Sequence, residues 1–334
     1  MTLRVELGEN GYDVVVERGC LNRAGELLAL DRKVLIVTDD GVPERYAKTV
    51  AAACKAPTVV TVPQGEGSKS FPTLEQLLSK MLSTGFTRSD CVCAVGGGVV
   101  GDLSALAAAL YMRGIDFYNI PTTLLSQADS SIGGKTGIDL DGVKNIVGVF
   151  RQPKKVLIDP DTLSTLPPRQ IAAGHAEIVK AGLIADATLF SLYESGDAEN
   201  DLVTALSRAL AVKKAVVERD EKESGLRRIL NFGHTVGHGI ESVTGLLHGE
   251  CVALGMIPMC APAVKERLIP VLTRLGLPTT VKADPGKVFA ALLHDKKAAG
   301  GMITAVLVNE VGASEQFSLS PEALREKIEM VVKE

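Results

Sequence analysis

In the first half of the chain, short β-branched runs alternate with helical ones, and this alternation limits the possible folds more than any other feature. Val34–Val37, Thr58–Val62, Cys91–Val95 and Phe117–Ile120 read as strands, with Pro, Gly and Asp nearby. Between them, Pro43–Ala53, Thr73–Thr84 and Val99–Met112 carry apolar residues at helical spacing. Thr73, followed three residues later by Gln76, reads as a capping box after Pro72. The helix from Val99 is nearly all small and apolar (LSALAAALYM), which predicts burial on most sides. Strands joined through helices by short connections demand a parallel sheet covered by helices.

The pattern changes after Val156–Ile158 and the turn-rich DPDTLSTLPPRQ. Ile171–Ile184, Leu202–Val217, Phe232–Val243, Val288–His294 and Pro321–Val332 read as helices, and only Thr304–Val308 as a strand. The expected division is therefore an α/β domain over 1–160, Rossmann-like with a parallel sheet, and a mainly α-helical domain over 161–334. The length of 334 residues suits two domains.

Composition excludes several functions. A net charge of −4 gives no reason to expect nucleic acid or an anionic membrane as partner. With 5 Tyr, 8 Phe and no Trp, stacking platforms for bases are scarce. No apolar run nears the roughly 18 residues that would span a bilayer, and MTLRVELGEN lacks the apolar stretch of a secretory signal. A cytoplasmic protein is expected. The six cysteines form no CxxC pair, and Cys91 and Cys93 fall on one face of a strand, opposite to Val92. They read as buried small hydrophobes in a reducing compartment.

Residues 96–101 read GGGVVG, after a strand and before a helix. Glycines there allow a pyrophosphate to approach the backbone at a helix N-terminus. The run follows several earlier strands and has no clean acidic ribose partner some twenty residues on, so a tight packing turn is the competing reading. Asp102 follows at once, where a carboxylate suits the helix dipole but repels a bare phosphate. GEGSK (Gly65–Lys69) and PTTLLSQADSSIGGKTGID (Pro121–Asp139) also follow candidate strands, as do Lys144 and Asn145 further along. Such strand ends are where parallel sheets bind ligands.

The helical half holds Glu177 in GHAEIVK, His234 and His238 in NFGHTVGH, and His248 with Glu250 in LLHGE. His234 and His238, at i and i+4, share a helix face and with a distant carboxylate could grip one divalent ion. Two hydrogen-bonded core histidines are the alternative.

The motifs GGGVVGD, YMRG, PTTLLSQADSSIGGKTGID, KNIVGVFRQP, AEIVK, LRRILNFGHTVGHGIE, LHGE and DKK, in this order, resemble the 3-dehydroquinate synthase family over nearly the whole chain. The resemblance implies an NAD-binding α/β domain, a helical metal-binding domain and a homodimer. It implies Glu177, His234 and His248 as ligands of one divalent metal, zinc or cobalt, and moves His238 from ligand to a substrate-facing position. For NAD it implies Asp39, Glu66, Lys69, Gly97, Gly98, Val99, Asp102, Thr122, Thr123, Lys135, Lys144, Thr162, Leu163 and Thr165. Lys135, Asn145, Lys213, Arg227, Asn231, Lys296 and Lys297 are implied for the substrate carboxylate and phosphate, Asp129 and Lys180 for its hydroxyls, and Arg113 for the neighbouring subunit's phosphate site.

The implied reaction converts 3-deoxy-D-arabino-heptulosonate 7-phosphate to 3-dehydroquinate and phosphate. It proceeds through transient oxidation by NAD, β-elimination, reduction and intramolecular aldol closure. A metal-dependent polyol dehydrogenase and a cyclitol-forming cyclase are the rival activities. The cations at Lys135, Lys144, Arg227 and Lys296 suit a doubly anionic substrate, and Lys213, Arg227 and Asn231 suit its carboxylate. This chain departs from the family pattern at His175, Gly41, Thr304, Pro258, Pro262 and a shortened 265–277 segment.

Overall fold

Two strands buried from end to end organise the first half of the molecule: β3 (Lys33–Asp39) and β5 (Cys91–Gly96) expose almost nothing on either face. Such strands need helices on both sides. The computed structural model describes residues 1–296 and 302–333, and these divide into two units, Met1–Leu166 and Pro167–Glu334.

In unit 1 the strands β1 (Thr2–Val5), β2 (Tyr12–Val16), β3, β4 (Ala56–Val62), β5, β6 (Asp116–Pro121) and β9 (Lys155–Ile158) form one sheet in the order β1-β2-β9-β6-β5-β3-β4. All neighbours are parallel except β1 and β2. A short antiparallel pair, β7 (Ile138–Leu140) and β8 (Val143–Val147), stands apart from the sheet. Its two-residue loop, Asp141–Gly142, has φ of 50° and 80°, the both-positive pattern of a type I′ hairpin turn.

The helices are α1 (Ala24–Leu27), α2 (Glu44–Ala52), α3 (Phe71–Ser83) and α4 (Gly98–Leu110). Strand alternation sorts the core in two. Leu35, Val37, Val92 and Ala94 pack with Leu74, Leu77 and Met81 of α3 and Leu103 and Leu106 of α4. Val34, Ile36, Cys91 and Cys93 pack with Tyr46, Ala47 and Val50 of α2. Cys91 and Cys93 therefore share a face opposite to Val92, as their spacing predicts, and all six cysteines are free thiols. Burial pushes the Cys91 thiol up to about 12.

The chain winds outward from β3 to β4 on one side and to β5 on the other, so the sheet reverses its winding between β3 and β5. In doubly wound sheets a crevice opens there at the carboxyl ends of the strands. Asp39 ends β3, and the glycine run ends β5.

Two local expectations are revised. Helix α3 begins at Phe71 and not Thr73, with Pro72 in its first turn, where its missing N–H costs nothing. No side chain caps it; Ser70 Oγ lies 3.0 Å from Thr73 Oγ1 instead. The units divide at Leu166–Pro167, past the expected 160, because Asp159 ties the following turn to unit 1. Its carboxylate accepts from the amides of Gly19, Leu21 and Asp161, and Tyr46 Oη donates to the Thr162 carbonyl.

Unit 2 is mainly helical: α5 (Pro168–Ala185), α6 (Ala187–Ser195), α7 (Asp197–Asn200), α8 (Leu202–Arg219), α9 (His234–Val243), α10 (His248–Met256), α11 (Pro262–Arg274), α12 (Pro285–Lys296) and α13 (Pro321–Val331). The strand read at Thr304–Val308 is β11 (Ile303–Glu310), which pairs antiparallel with β12 (Ala313–Leu319). A two-residue pair joins β10 (Val281–Lys282) to β13 (Val332–Lys333). Pro258 and Pro262 separate α10 from α11 through a 3-10 turn at Ile257–Met259.

Glycines bring three helices into backbone contact. A Cβ on Gly249 of α10 would collide with the Ala173 carbonyl of α5, and one on Gly255 with the Gly233 carbonyl before α9. On Gly237 of α9 it would lie 2.9 Å from the Cys251 carbonyl oxygen of α10.

Candidate active site

Unit 2 gathers its chemistry where α5, α9 and α10 meet. Glu177 and Lys180 lie one turn apart on α5, both nearly inaccessible, and their side chains form an ion pair. His234 opens α9 after Gly233, whose φ of 80° ends the preceding turn; this is why the helix starts at His234 and not Phe232. His248 opens α10.

Glu177 Oε1 lies 3.6 Å from Nε2 of His234 and 3.5 Å from Nε2 of His248. Two donors about 2.0–2.2 Å from one tetrahedral zinc lie roughly 3.3–3.6 Å apart, so these spacings suit a shared ion. Glu177 Oε1 is fully buried with no hydrogen-bond donor at proper geometry, while Oε2 stands against the Lys180 ammonium. One carboxylate and two imidazoles with a position left for substrate is a donor set that fits a catalytic divalent metal.

The charges agree with this at Glu177 and His234, whereas at His248 hydrogen bonds to Glu177 and Glu241 outweigh burial and push the imidazole up to about 10. Burial would raise the Glu177 carboxyl, but Lys180, His234 and His248 hold it well below its usual range. Burial, helped by the Lys180 ammonium, pushes His234 down to about 3 and keeps it neutral, as a ligand must be.

His234 and His238 do share a face, with ring centroids 5.3 Å apart. His238 is the exposed member, however, and Glu177 faces His234 and His248. His238, Glu241 and His248 form a second group of donor atoms within 4.8 Å of one another.

On elements that pack against α5, Lys213 of α8 and Arg227 are buried. Arg227 sits in the 3-10 turn Leu226–Asn231, behind a loop gathered by Asp220. That carboxylate accepts from the amides of Ser224, Gly225 and Arg227, and Arg227 Nη1 donates to the Glu221 carbonyl. Asn231 Nδ2 donates to Glu223 Oε1 at 2.8 Å, which brings in a residue the sequence did not single out. Glu223 holds a φ of 59°, and left-handed non-glycine residues collect at functional sites. Lys297 lies outside the described residues, and so does the side chain of Lys296.

In unit 1 the carboxyl end of the sheet collects the other set. Gly97 is the N-cap of α4, and no side chain caps that helix. Its first amides lack intrahelical partners and suit an anion. Packing also demands glycine here: a Cβ would lie 3.0 Å from Thr123 Cγ2 at Gly97, 3.1 Å from Ser130 Oγ at Gly98 and 2.6 Å from Val100 at Gly96. The turn thus meets the requirements of both readings of the glycine run.

Asp102, the fifth residue of α4, accepts from Lys69 Nζ at 2.8 Å, and Glu66 Oε1 lies 3.5 Å from the same ammonium. Lys69 is buried, yet Asp102, Glu66 and Asp139 more than offset that burial and keep it charged. Its Nζ also donates to Asn145 Oδ1. Asn145, at φ 56°, follows Lys144 on β8 and donates its amide to Asp139 Oδ1. Glu66, Asp102 and Asn145 thus converge on the buried Lys69 ammonium.

Asp39 Oδ1 accepts from the amides of Gly41 and Val42, at 2.9 and 3.1 Å. Thr122 donates its amide to Gly96 O, and Thr123 Oγ1 accepts from the Ser126 amide. Val99 lies in the first turn of α4, and Asp129 in the turn Ser126–Ser130 that follows Thr123. Lys135 and Lys144 are exposed. The hydroxyls of Thr162 and Thr165 already bond within the protein, to Asp159 O and Thr162 O, and Leu163 is buried between them. Arg113 is exposed in a turn where Met112, Arg113 and Gly114 all have positive φ.

Two synthases of solved structure share this fold over nearly their whole length. A 2-deoxy-scyllo-inosose synthase, solved with carbaglucose-6-phosphate, NAD+ and Co2+, is 25% identical, covers 98% of this chain and 99% of its own, and has a TM-score of 0.89. The 2-epi-5-epi-valiolone synthase of Streptomyces hygroscopicus subsp. jinggangensis, with NAD+ and Zn2+, is 30% identical, covers 95% of each chain and has a TM-score of 0.86. Fold and site together define the sugar-phosphate cyclase class of α/β enzymes.

Within that class, residues 59–173 match the model described as 3-dehydroquinate synthase N-terminal, and residues 174–298 the one described as 3-dehydroquinate synthase C-terminal. The 3-dehydroquinate synthase of Caulobacter vibrioides is 42% identical over 344 residues, 93% of either chain. The chain belongs to the 3-dehydroquinate synthase family.

Proposed function

We propose that the chain is itself a 3-dehydroquinate synthase, converting 3-deoxy-D-arabino-heptulosonate 7-phosphate to 3-dehydroquinate and phosphate with NAD and one divalent cation, zinc or cobalt. The observation that carries this reading is Glu177 Oε1 standing 3.5–3.6 Å from two imidazole Nε2 atoms in a chain of this family. When bound, NAD supplies a reversible hydride acceptor and the cation a Lewis acid at the substrate's hydroxyls.

The protein's own residues do the rest. Glu177, His234 and His248 would hold the cation, and Lys180 would meet a hydroxyl beside it. Arg227 presents a buried guanidinium whose planar fork matches a carboxylate, and Lys213 adds a second cation. Asn231, held by Glu223, is fixed for a single orientation. Lys135, Asn145 and Lys297 would bind phosphate, Asp129 a hydroxyl, and His238 would face substrate. On unit 1, the uncapped start of α4 with Asp39, Glu66, Lys69, Asp102, Thr122, Thr123 and Lys144 would receive NAD.

A cytoplasmic homodimer is part of the proposal. Leu140, Val143, Ile146, Val149 and Phe150 are all exposed within one short segment, an apolar surface of the kind that meets another chain. The strained turn at Arg113 suits a residue reserved for a neighbour's phosphate site. Among the described residues no helix is long and apolar enough to cross a membrane.

The test is phosphate release from the heptulosonate phosphate with substoichiometric NAD. Turnover without accumulating NADH supports the proposal. Stoichiometric NADH from a polyol, with no phosphate released, would replace it by the dehydrogenase reading.

A further inference from the structure

Glu241 has entered none of the roles argued so far. It stands on α9 two turns after His234, on the same side of the helix, with its side chain 15% exposed. Its Oε2 lies 2.9 Å from Nδ1 of His248, the ring whose Nε2 faces Glu177. The other ligand histidine is held alike: His234 Nδ1 lies 3.1 Å from the Phe232 carbonyl oxygen while its Nε2 faces Glu177. Both rings turn Nδ1 to a fixed oxygen and Nε2 to a common centre.

A neutral imidazole that ligates through Nε2 carries its proton on Nδ1, and an acceptor at Nδ1 fixes both tautomer and ring plane. His248 needs such a hold more than its partners. Its side chain is 33% exposed, against 13% for His234 and 2% for Glu177.

Glu241 could instead be a ligand itself, with His238 and His248. The 2.9 Å between Glu241 Oε2 and His248 Nδ1 argues against that: it is a hydrogen-bond length, shorter than the roughly 3.3 Å between two donors on one tetrahedral ion. The Glu177 spacings meet that requirement.

We propose that Glu241 is a positioning residue of the metal centre, orienting His248 through Nδ1 without touching the cation. The inference rests on Glu177, His234 and His248 being the ligands.

The test measures Zn2+ and Co2+ affinity of the metal-stripped full chain by competition with a chromophoric chelator. Folding of each variant is followed by circular dichroism, and the visible spectrum is recorded for each Co2+-loaded form. Glu241→Ala is expected to weaken binding about 10- to 100-fold. Glu241→Gln, which keeps an acceptor oxygen, should recover part of that loss and keep the wild-type Co2+ spectrum. His248→Ala should lose binding, and His238→Ala should stay within about twofold of wild type. Wild-type affinity in Glu241→Ala alongside loss in His248→Ala overturns the inference and leaves the ligand set standing. Wild-type affinity in His248→Ala overturns the ligand set. Equal losses in His238→Ala and Glu241→Ala would make Glu241 a ligand and reject the positioning role. Should the alanine variant not fold, the affinity and spectrum of Glu241→Gln decide: no change in affinity rejects the inference.

Discussion

Gly249 lies against the carbonyl of Ala173 so closely that no side chain fits between them. The contact joins α10, one residue past His248, to α5, one turn before Glu177. It therefore sets the distance between two proposed ligands by backbone packing, without help from their side chains. Gly249→Ala must force the helices apart, and overpacking of this kind costs about 1–3 kcal/mol. The urea midpoint should fall accordingly and metal affinity should fall with it. A variant as stable and as tightly metallated as wild type would mean that the crossing is adaptable.

Removal of the cation should abolish turnover, and adding zinc or cobalt back should restore it in the wild type. Glu177→Gln, His234→Ala and His248→Ala should each resist this rescue at metal concentrations that saturate the wild type. Phosphate release before and after chelation reads the outcome, and full activity in any of the three after chelation would remove that residue from the set.

Lys69 is expected to support unit 1 as well as NAD. Its side chain is 3% exposed and that of Asp102 21%, so Lys69→Met removes a cation from a largely buried carboxylate beside Glu66. Removing one partner of a buried pair costs about 3–5 kcal/mol, and the partial exposure of Asp102 places the loss near the lower end. NAD titration by calorimetry should show weaker binding in the same variant. Unchanged values in both measurements would show the pair to be dispensable.

Acid stability should depend on Asp220. Three backbone amides and the Ser224 hydroxyl hold its carboxyl well below the ordinary value. A carboxyl depressed by folding stabilises the protein above its unfolded pKa of about 3.9, and this contribution fades as pH falls through that range. Asp220→Asn should therefore be less stable than wild type at pH 7, with the gap narrowing below about pH 5. Urea midpoints across pH 3–7 test this, and a gap independent of pH would contradict it.

Much of the sheet was legible because buried strands and their helices carry strong local periodicity; the Cys91–Val92–Cys93 alternation reads directly as two faces. β12 was not legible, since ASEQFSL is exposed at most positions and has no apolar side to alternate. β1 and β2 escaped notice among the charged residues of the first segment, and the β7–β8 hairpin was missed although Asp141–Gly142 is its turn. The spacing of His234 and His238 identified a helix face but not the partner of either ring. That choice depends on where α5 and α10 cross, a contact between residues far apart in sequence. Glu223 carries no local signal, and Glu241, the last residue of LRRILNFGHTVGHGIE, shows only its helix face; the significance of both lies in the atoms their carboxylates reach.

The three proposed ligands come from positions 177, 234 and 248, on separate helices. A cation held there is a clasp that fastens distant stretches of chain, so its binding energy also becomes folding energy for unit 2. Starved of metal, such a protein loses more than its chemistry: its helical half becomes easier to unravel, and proteases gain access to it.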